Sequence, residues 1–533
     1  MKLNKIFSTI ALAAAVFGLA ACSDTDAKYT IVEDPDAPEL VSVTPTDDAP
    51  LLFGQKTITL TFNKNVFFAT KNAGQITLNG TPVSNALVLG SSPSLTITAT
   101  PDFNKKQTLI IPAGLVMNSR GVPNDKDIVV TWELQDLPSN TATEMTKKLG
   151  WGWNLGNHFD TSNMEWGYWD GVESADIAPF AALASAGAKT VRIPTTWTNH
   201  MDENGVISAD YLNEVAVVVD KAIAAGLNVV LNTHHDSFED ALGDAADDEE
   251  KAAEIEALIS SLWNQVATYF KDRSDKLIFE TFNEVHAGDD WSTGSEAQFK
   301  MLNEWNQTAV NVIRATGGNN ATRWIGISGY AANIDLTIAN LEMPKVSEWN
   351  EEEGTWEPTD EVDDHIMVGV HCYDPYGFCL QPIGNGGNEI YNSWGHNANP
   401  KTSVANTNEE YVIAQLFKLR TAYIEKGIPC YLGEYGCVLH PSDVGQAFRQ
   451  YYLEFFCRCA YLAGIPMFVW DNNVTTPGNE ASGYVDHDSG AFVADGATIV
   501  PMMINACTNT DDDNYWFDTI WNKSPEKPAD PEE

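Results

Sequence analysis

Basic residues are scarce in this chain. Lys and Arg number 31 against 74 Asp and Glu, a formal net charge of −43, so nucleic acid and anionic membrane surfaces would repel it and a neutral partner fits better. Long apolar runs are also missing: beyond the first 22 residues no stretch approaches the roughly 20 apolar residues of a membrane helix. The eight cysteines include no second pair, and no histidine pair, at zinc-module spacing to accompany Cys457-Arg458-Cys459. The acidic runs 236–256 and 348–364 lack EF-hand spacing and read as solvated faces. His234 and His235 are adjacent rather than four apart on a helix, a poor metal pair. No metal and no cofactor are expected.

The chain opens with Lys2, Lys5 and the apolar stretch 10–21, followed by Cys22. A basic start, a short apolar run and small residues at its end are an export signal rather than a fold element. Leu19-Ala20-Ala21-Cys22 resembles the bacterial lipoprotein cleavage box, which implies a signal peptide over 1–21 and lipidation of Cys22. Ser23-Asp24 resembles the signal that sends some lipoproteins to the outer face of the outer membrane. The resemblance implies a cell-surface protein that meets the membrane only through its lipid anchor; an ordinary signal peptide beside a cysteine is the alternative. Residues 22–36 are polar and acidic and read as a linker. The remaining seven cysteines are an odd number, so at least one thiol stays unpaired, and buried structural thiols are expected.

From 37 to 136 the pattern is one of short, often alternating segments (41–43, 57–62, 75–78, 94–98, 107–111, 128–132) separated by Gly, Pro, Asn and Asp. That pattern predicts a small all-β sandwich. Phe62-Asn63-Lys64-Asn65-Val66 and the run 111–116 resemble bacterial Ig-like modules. A spacer role is favoured over sugar binding because few aromatics look exposed.

Past 137 strand-like and helix-like segments alternate, which argues for a parallel sheet with crossover helices. Strand candidates are 150–155, 190–193, 228–232, 277–281, 323–328, 366–370, 429–432 and 465–470, with helices at 208–225, 250–270, 295–315 and 408–426. Eight strands over 137–524 predict an α/β fold, a (β/α)8 TIM barrel. An open doubly wound sheet is less suited, since no Gly-rich phosphate fingerprint follows the first strand. Residues 525–533, rich in Pro and charge, read as a disordered tail.

The ends of these strands carry polar groups: Asn157, Arg192, His234-His235, Asn283-Glu284, His371 with Tyr373, Glu434, and Trp470. Two glutamates brought together across a barrel are the equipment of glycoside hydrolysis. With Trp153-Asn154-Leu155-Gly156-Asn157, the run 191–197 and the run 371–376, these residues resemble glycoside hydrolase family 5, in its endo-glucanase branch. The resemblance implies Glu434 as nucleophile, held by Arg192 and Tyr373, and Glu284 as general acid and then base, its proton favoured by the charge of Glu434 close by. It further implies Asn283 on the sugar 2-hydroxyl, His235 and His371 positioning hydroxyls and carboxylates, His234 deeper or beside them, and Trp470 under the sugar. The expected activity is a retaining endo-β-1,4-glucanase on cellulose-like, mixed-linkage or xyloglucan chains, working as a monomer. An endo-β-1,4-mannanase and a non-catalytic surface glycan-binding protein are the alternatives; a binder, however, has no reason to keep two mutually repelling carboxylates. Val285 stands where the family commonly has proline, and a single Trp470 precedes Asp471-Asn472-Asn473, departures that bear on subsite shape. About half of Trp166, Tyr168, Trp169, Trp197, Trp291, Tyr376 and Trp394 are expected to meet sugar.

Overall fold

The computed structural model describes residues 36–45, 57–100, 105–161, 177–511 and 514–530. Two compact units divide the chain, one carrying Thr57–Ala99 and Thr108–Val130 and the other Thr131–Glu533. The signal peptide, Cys22 and almost all of the linker lie outside the described residues, as do Trp166, Tyr168 and Trp169.

Antiparallel sheets make up the first unit. Leu40–Thr44, Thr57–Phe68, Ser92–Thr98 and Asn85–Leu87 form one sheet in that order, with Val116–Asn118 also on Thr57–Phe68; Thr81–Pro82, Thr77–Leu78, Lys106–Ile111 and Ile128–Glu133 form the other. The alternation read in the sequence is the burial pattern: Ile58, Leu60 and Phe62 point inward from one strand, Leu109 and Ile111 from another.

The second unit is a closed barrel of eight parallel strands. They are β1 (Trp151–Asn154), β2 (Thr190–Ile193), β3 (Asn228–Asn232), β4 (Leu277–Glu280), β5 (Ile325–Ser328), β6 (Ile366–Cys372), β7 (Cys430–Tyr435) and β8 (Met467–Val469). Helices Phe180–Ala186, Ala209–Ala224, Glu249–Phe270, Glu296–Ala315, Ile334–Asn340, Glu409–Ala422 and Asp443–Ala463 lie between successive strands, and Gly496–Thr508 follows β8. Glu296–Ala315 shows the local logic. Ser295 accepts the backbone N–H of Gln298 to start it, and Leu302, Trp305, Ala309 and Ile313 make its buried stripe. No helix among the described residues is long and apolar enough to cross a membrane.

Inside the barrel, residues two apart on a strand climb the same face. The lower layer is apolar: Val230, Ile278, Met367, Tyr431 and Phe468 form one buried cluster. Glycine makes room for its two large rings, since a Cβ on Gly326 would stand 2.1 Å from the Tyr431 hydroxyl and one on Gly152 would stand 2.4 Å from the Phe468 ring. Two residues further along the strands the face turns polar, with Asn154, Arg192, Asn232 and Glu280 all buried.

Three readings of the chain need correction. The run 348–364 is mostly exposed as expected, apart from the buried Asp363, but it belongs to an antiparallel hairpin, Lys345–Asn350 with Thr355–Val362. In the run 236–256, Asp236 and Glu239 are buried; Asp236 accepts the backbone N–H groups of Trp197 (2.8 Å) and Thr198 (2.6 Å), and such charge-assisted bonds offset the cost of burying a carboxylate. The tail is not free up to Asp530 either, because the Asn399 amide donates to the carbonyls of Pro528 (3.2 Å) and Ala529 (3.0 Å), and Lys401 pairs with Asp530 at 2.8 Å. The seven described cysteines carry no disulfide, and all but Cys507 are buried.

Candidate active site

Arg192 is the hinge between the barrel core and the cleft above it. Its Nε and Nη2 donate to one oxygen of Glu280 (3.0 and 2.7 Å), and its Nη1 donates to Glu434 Oε1 (2.7 Å) and Asn154 Oδ1 (3.1 Å). Nη2 also reaches Asn283 Oδ1 at 2.8 Å. A guanidinium this deep is tolerated only with such full pairing, and burial, which alone would lower its pKa, is overcome by the charges of Glu280 and Glu434. Glu280 is tied further by Asn232 (3.0 Å) and by the Tyr431 hydroxyl (2.6 Å).

Glu434 therefore receives two strong donors, Arg192 on Oε1 and the Tyr373 hydroxyl on Oε2 at 2.8 Å. Burial would raise this carboxyl, but the charges of His371 and Arg192 and the two hydrogen bonds hold it below the usual glutamate range. Burial and the charge of Glu434 push the Tyr373 phenol well up, so it remains a donor. Replacing Tyr373 by Phe is expected to lower kcat about 10- to 100-fold, the worth of a hydrogen bond to a charged group. Because the Glu434 carboxyl is then less depressed, the acid limb of the kcat/KM profile moves to higher pH. A limb that stays in place would show that Tyr373 does not hold this charge.

Glu284 lies opposite, beyond the end of β4. Its Oε1 meets His371 Nδ1 at 2.5 Å, and the same nitrogen stands 3.9 Å from Glu434 Oε1. One oxygen of each glutamate and a ring nitrogen of His371 all lie within 4.8 Å of one another. Burial would depress the His371 pKa, but the charges of Glu434 and Glu284 raise it. The pairing of β6 with β7 slips between Val370 and His371, skipping Gly433, and this bulge sets His371 beside Glu434. A Cβ on Gly433 would come within 2.9 Å of His371 Nε2.

The other residues read from the strand ends surround this pair. Asn283 is buried, and with its Oδ1 taken by Arg192 its amide N–H2 is left for a ligand. His234 is buried beside Trp470, the rings nearly parallel with centroids 6.0 Å apart. Asn232 gives its carbonyl oxygen to the backbone N–H of Thr195 and its N–H2 to Glu280 and His234 Nδ1 (3.2 Å). His234 Nδ1 must then accept, which places the ring proton on Nε2. Burial, with the charges of His235 and Arg192, keeps His234 well below the histidine range and neutral. His235 stands higher on the wall, 3.4 Å from Glu239. Burial would lower it, but Glu239, Asp160 and Glu284 carry it upward. Asn157 sits at a left-handed turn (φ 56°) whose N–H is held by Asp160. Gly156 lets Trp470 approach, since a Cβ there would be 2.7 Å from the indole. Asp471 fixes the turn that carries Trp470 by accepting the Trp153 indole N–H (2.8 Å) and the backbone N–H groups of Tyr484 and Val485.

A cleft of about 670 Å³ holds Glu284, Glu434, Tyr373, His234, His235 and Trp470, together with Asn157, Asp160, Asn199, Glu239 and Asn472. A smaller one of about 260 Å³ continues past Glu284, Trp291 and Tyr373 to His371, Tyr376 and Tyr411. Of the four described loop aromatics, Trp291 and Tyr376 stand exposed on these walls, while Trp197 and Trp394 are core. Arg192's second carboxylate, Glu280, and its supports Asn154, Asn232 and Tyr431 were missed as site residues; the one signal for Glu280, Asn154 and Asn232 is a polar residue two steps beyond the inward position of the lower layer, and Tyr431, which belongs to that layer, carries none. Glu284, His371 and Glu434 could together meet a cation, but Arg192, Tyr373 and the Glu284–His371 contact already occupy the facing atoms. Asp363, Asp364 and His365 make a second such group on the barrel exterior, where Arg314 already binds Asp363.

An eight-stranded barrel with two facing glutamates at the C-terminal ends of β4 and β7, over a cleft walled by aromatics, defines a glycoside hydrolase of the barrel type. The chain belongs to the cellulase family, glycosyl hydrolase family 5, whose model matches residues 154–476. Endoglucanase A of Clostridium longisporum is 30% identical over 357 residues, covering 64% of this chain; this chain spans 61% of that relative's length. Among solved structures, a GH5-4 broad specificity endoglucanase from Bacteroides salanitronis is 36% identical, with 71% of this chain and 98% of that one covered and a TM-score of 0.62. A family 5 lichenase from Caldicellulosiruptor sp., solved as a mutant in complex with cellotetraose, is 27% identical, with 70% and 96% covered and a TM-score of 0.58.

Proposed function

We propose that this protein is a retaining endo-β-1,4-glucanase acting on cellulose-like, mixed-linkage or xyloglucan chains. The observation that carries the reading is the approach of Glu284 and Glu434, with oxygens within 4.8 Å. Retaining enzymes hold their carboxyls roughly 5 to 5.5 Å apart, and inverting ones leave roughly 6.5 to 9.5 Å for a water. Glu434, ionised and aimed by Arg192 and Tyr373, attacks the anomeric carbon while Glu284 passes its proton to the departing glycosidic oxygen. The glycosyl ester on Glu434 is then cleaved by a water that Glu284 deprotonates. Asn283 serves the 2-hydroxyl, and Trp470 with the His234 N–H lines the same sugar. Endo action is supported by a cleft that continues on both sides of Glu284. The cellotetraose bound by the lichenase relative supports a β-glucan as ligand.

Initial products followed by proton NMR on barley glucan, xyloglucan, carboxymethyl cellulose, mannan and xylan test this. Release of β-anomers, fastest on a glucan, is expected. Inverted anomers would sink the mechanism, and highest rates on mannan would sink the substrate. We further propose a monomer displayed on the cell surface by lipid on Cys22, with the N-terminal all-β unit as an Ig-like spacer. Loss of lipid labelling in Cys22→Ser is the expected result, and release of that variant in soluble form would accompany it.

A further inference from the structure

The hairpin Lys345–Asn350 with Thr355–Val362 stands apart from the catalytic cleft. It precedes β6, so it lies at the N-terminal ends of the strands, the opposite end of the barrel from Glu284 and Glu434. Trp349 and Trp356 are directly paired across it and meet edge to face, with centroids 5.1 Å apart. Such pairs stabilise a two-stranded ribbon, yet Trp349 remains 49% exposed, and Val346 and Val362 beside it are 39% and 47% exposed. Trp356 forms one wall of a cleft of about 470 Å³ whose other wall is the helix Glu296–Ala315. Gln307 fastens the two walls, accepting the Lys345 N–H (2.8 Å) and donating to the Lys345 carbonyl (2.9 Å).

The walls offer what a neutral polyhydroxylated chain needs. Arg314 and Lys345 cancel the formal charge of Asp363 and Asp364, and Arg314 is already clamped by Asp363 at 2.7 Å. Asn311, with its Oδ1 taken by Gln307, and the exposed carboxylate of Asp364 supply hydrogen-bonding groups beside the Trp356 ring. An aromatic face flanked by amide and carboxylate groups matches the alternation of apolar ring faces and equatorial hydroxyls in a β-linked pyranose chain. We infer that this cleft, with Trp349 at its rim, is a second binding site for a β-glucan chain, separate from the catalytic one. The segment held there lies away from Glu434, so the site retains polymer without cutting that segment. This inference rests on the proposed substrate class.

The test is native electrophoresis through gels containing barley mixed-linkage glucan or mannan, with Glu434→Ala as the parent so that nothing is hydrolysed. Adding Trp349→Ala and Trp356→Ala is expected to lower the association constant for glucan at least fivefold, and Trp→Phe at both positions is expected to restore most of it. In the active background the double alanine variant keeps kcat/KM on cellotetraose within twofold, which also shows that it folds. Tryptophan-dependent retardation in mannan alone would keep the second site and reject the glucan reading. Equal retardation of parent and alanine variants in both gels would overturn the site.

Discussion

Replacing Glu434 by alanine is expected to lower kcat on a β-glucan by about 10⁴-fold or more, roughly 5.5 kcal/mol of barrier. Neither neighbouring glutamate is placed to take over. Glu284 is engaged by His371 Nδ1 at 2.5 Å, and Glu280 is 1% exposed beneath Arg192 with both oxygens engaged. The two glutamates are told apart by azide and an activated aryl β-glycoside. In Glu434→Ala, azide fills the vacated space and attacks from the nucleophile's face, giving the α-glycosyl azide. In Glu284→Ala the ester still forms, because an activated leaving group needs no proton, and azide then gives the β product. NMR of the azides reads the outcome, and the opposite assignment would exchange the roles of the two residues.

The second large effect is on stability. Arg192→Met leaves Glu280 and Glu434, 1% and 6% exposed, facing each other with no cation between. Removing one partner of a buried ion pair costs about 3 to 5 kcal/mol, so urea denaturation at pH 7 is expected to show a loss of that order. The deficit shrinks with acid. In the intact protein the depressed Glu434 carboxyl adds stability above its unfolded pKa, and that contribution disappears as pH falls through its folded value. The variant keeps only the part of it that His371 and Tyr373 supply, so the two stability curves draw together at low pH. Arg192→Lys does not rescue, because one ammonium cannot fork between two carboxylates and two amides. A loss below about 1 kcal/mol would show that the layer relaxes or admits water.

How far this could be read from the sequence depended on what each segment repeats. The barrel was legible because strand and helix segments recur, and each of the eight observed strands falls on or within about one to three residues of a segment chosen from apolar runs alone. The cleft residues were legible because they cluster where those runs end. Glu280 was not, since it closes the run Leu277–Glu280, and the groups that explain it, Arg192, Asn232 and Tyr431, come from three other strands. Its burial is a consequence of closing the barrel and leaves no local trace. The hairpin was hidden for a different reason: five acids between Glu348 and Glu357 outweighed the Trp349 and Trp356 pairing that now defines it.

His371 stands 2.5 Å from one glutamate and 3.9 Å from the other, on the same ring nitrogen. In the proposed double displacement a single negative charge changes owner: it resides on Glu434 before the ester forms and on Glu284 afterwards. The His371 ring, its pKa raised by these two carboxylates, stays where it is through this exchange, with the charge stepping from one neighbour of its Nδ1 to the other. Both half-reactions thus share one ring beside the charge, while Arg192 and the Tyr373 hydroxyl stay with Glu434 throughout.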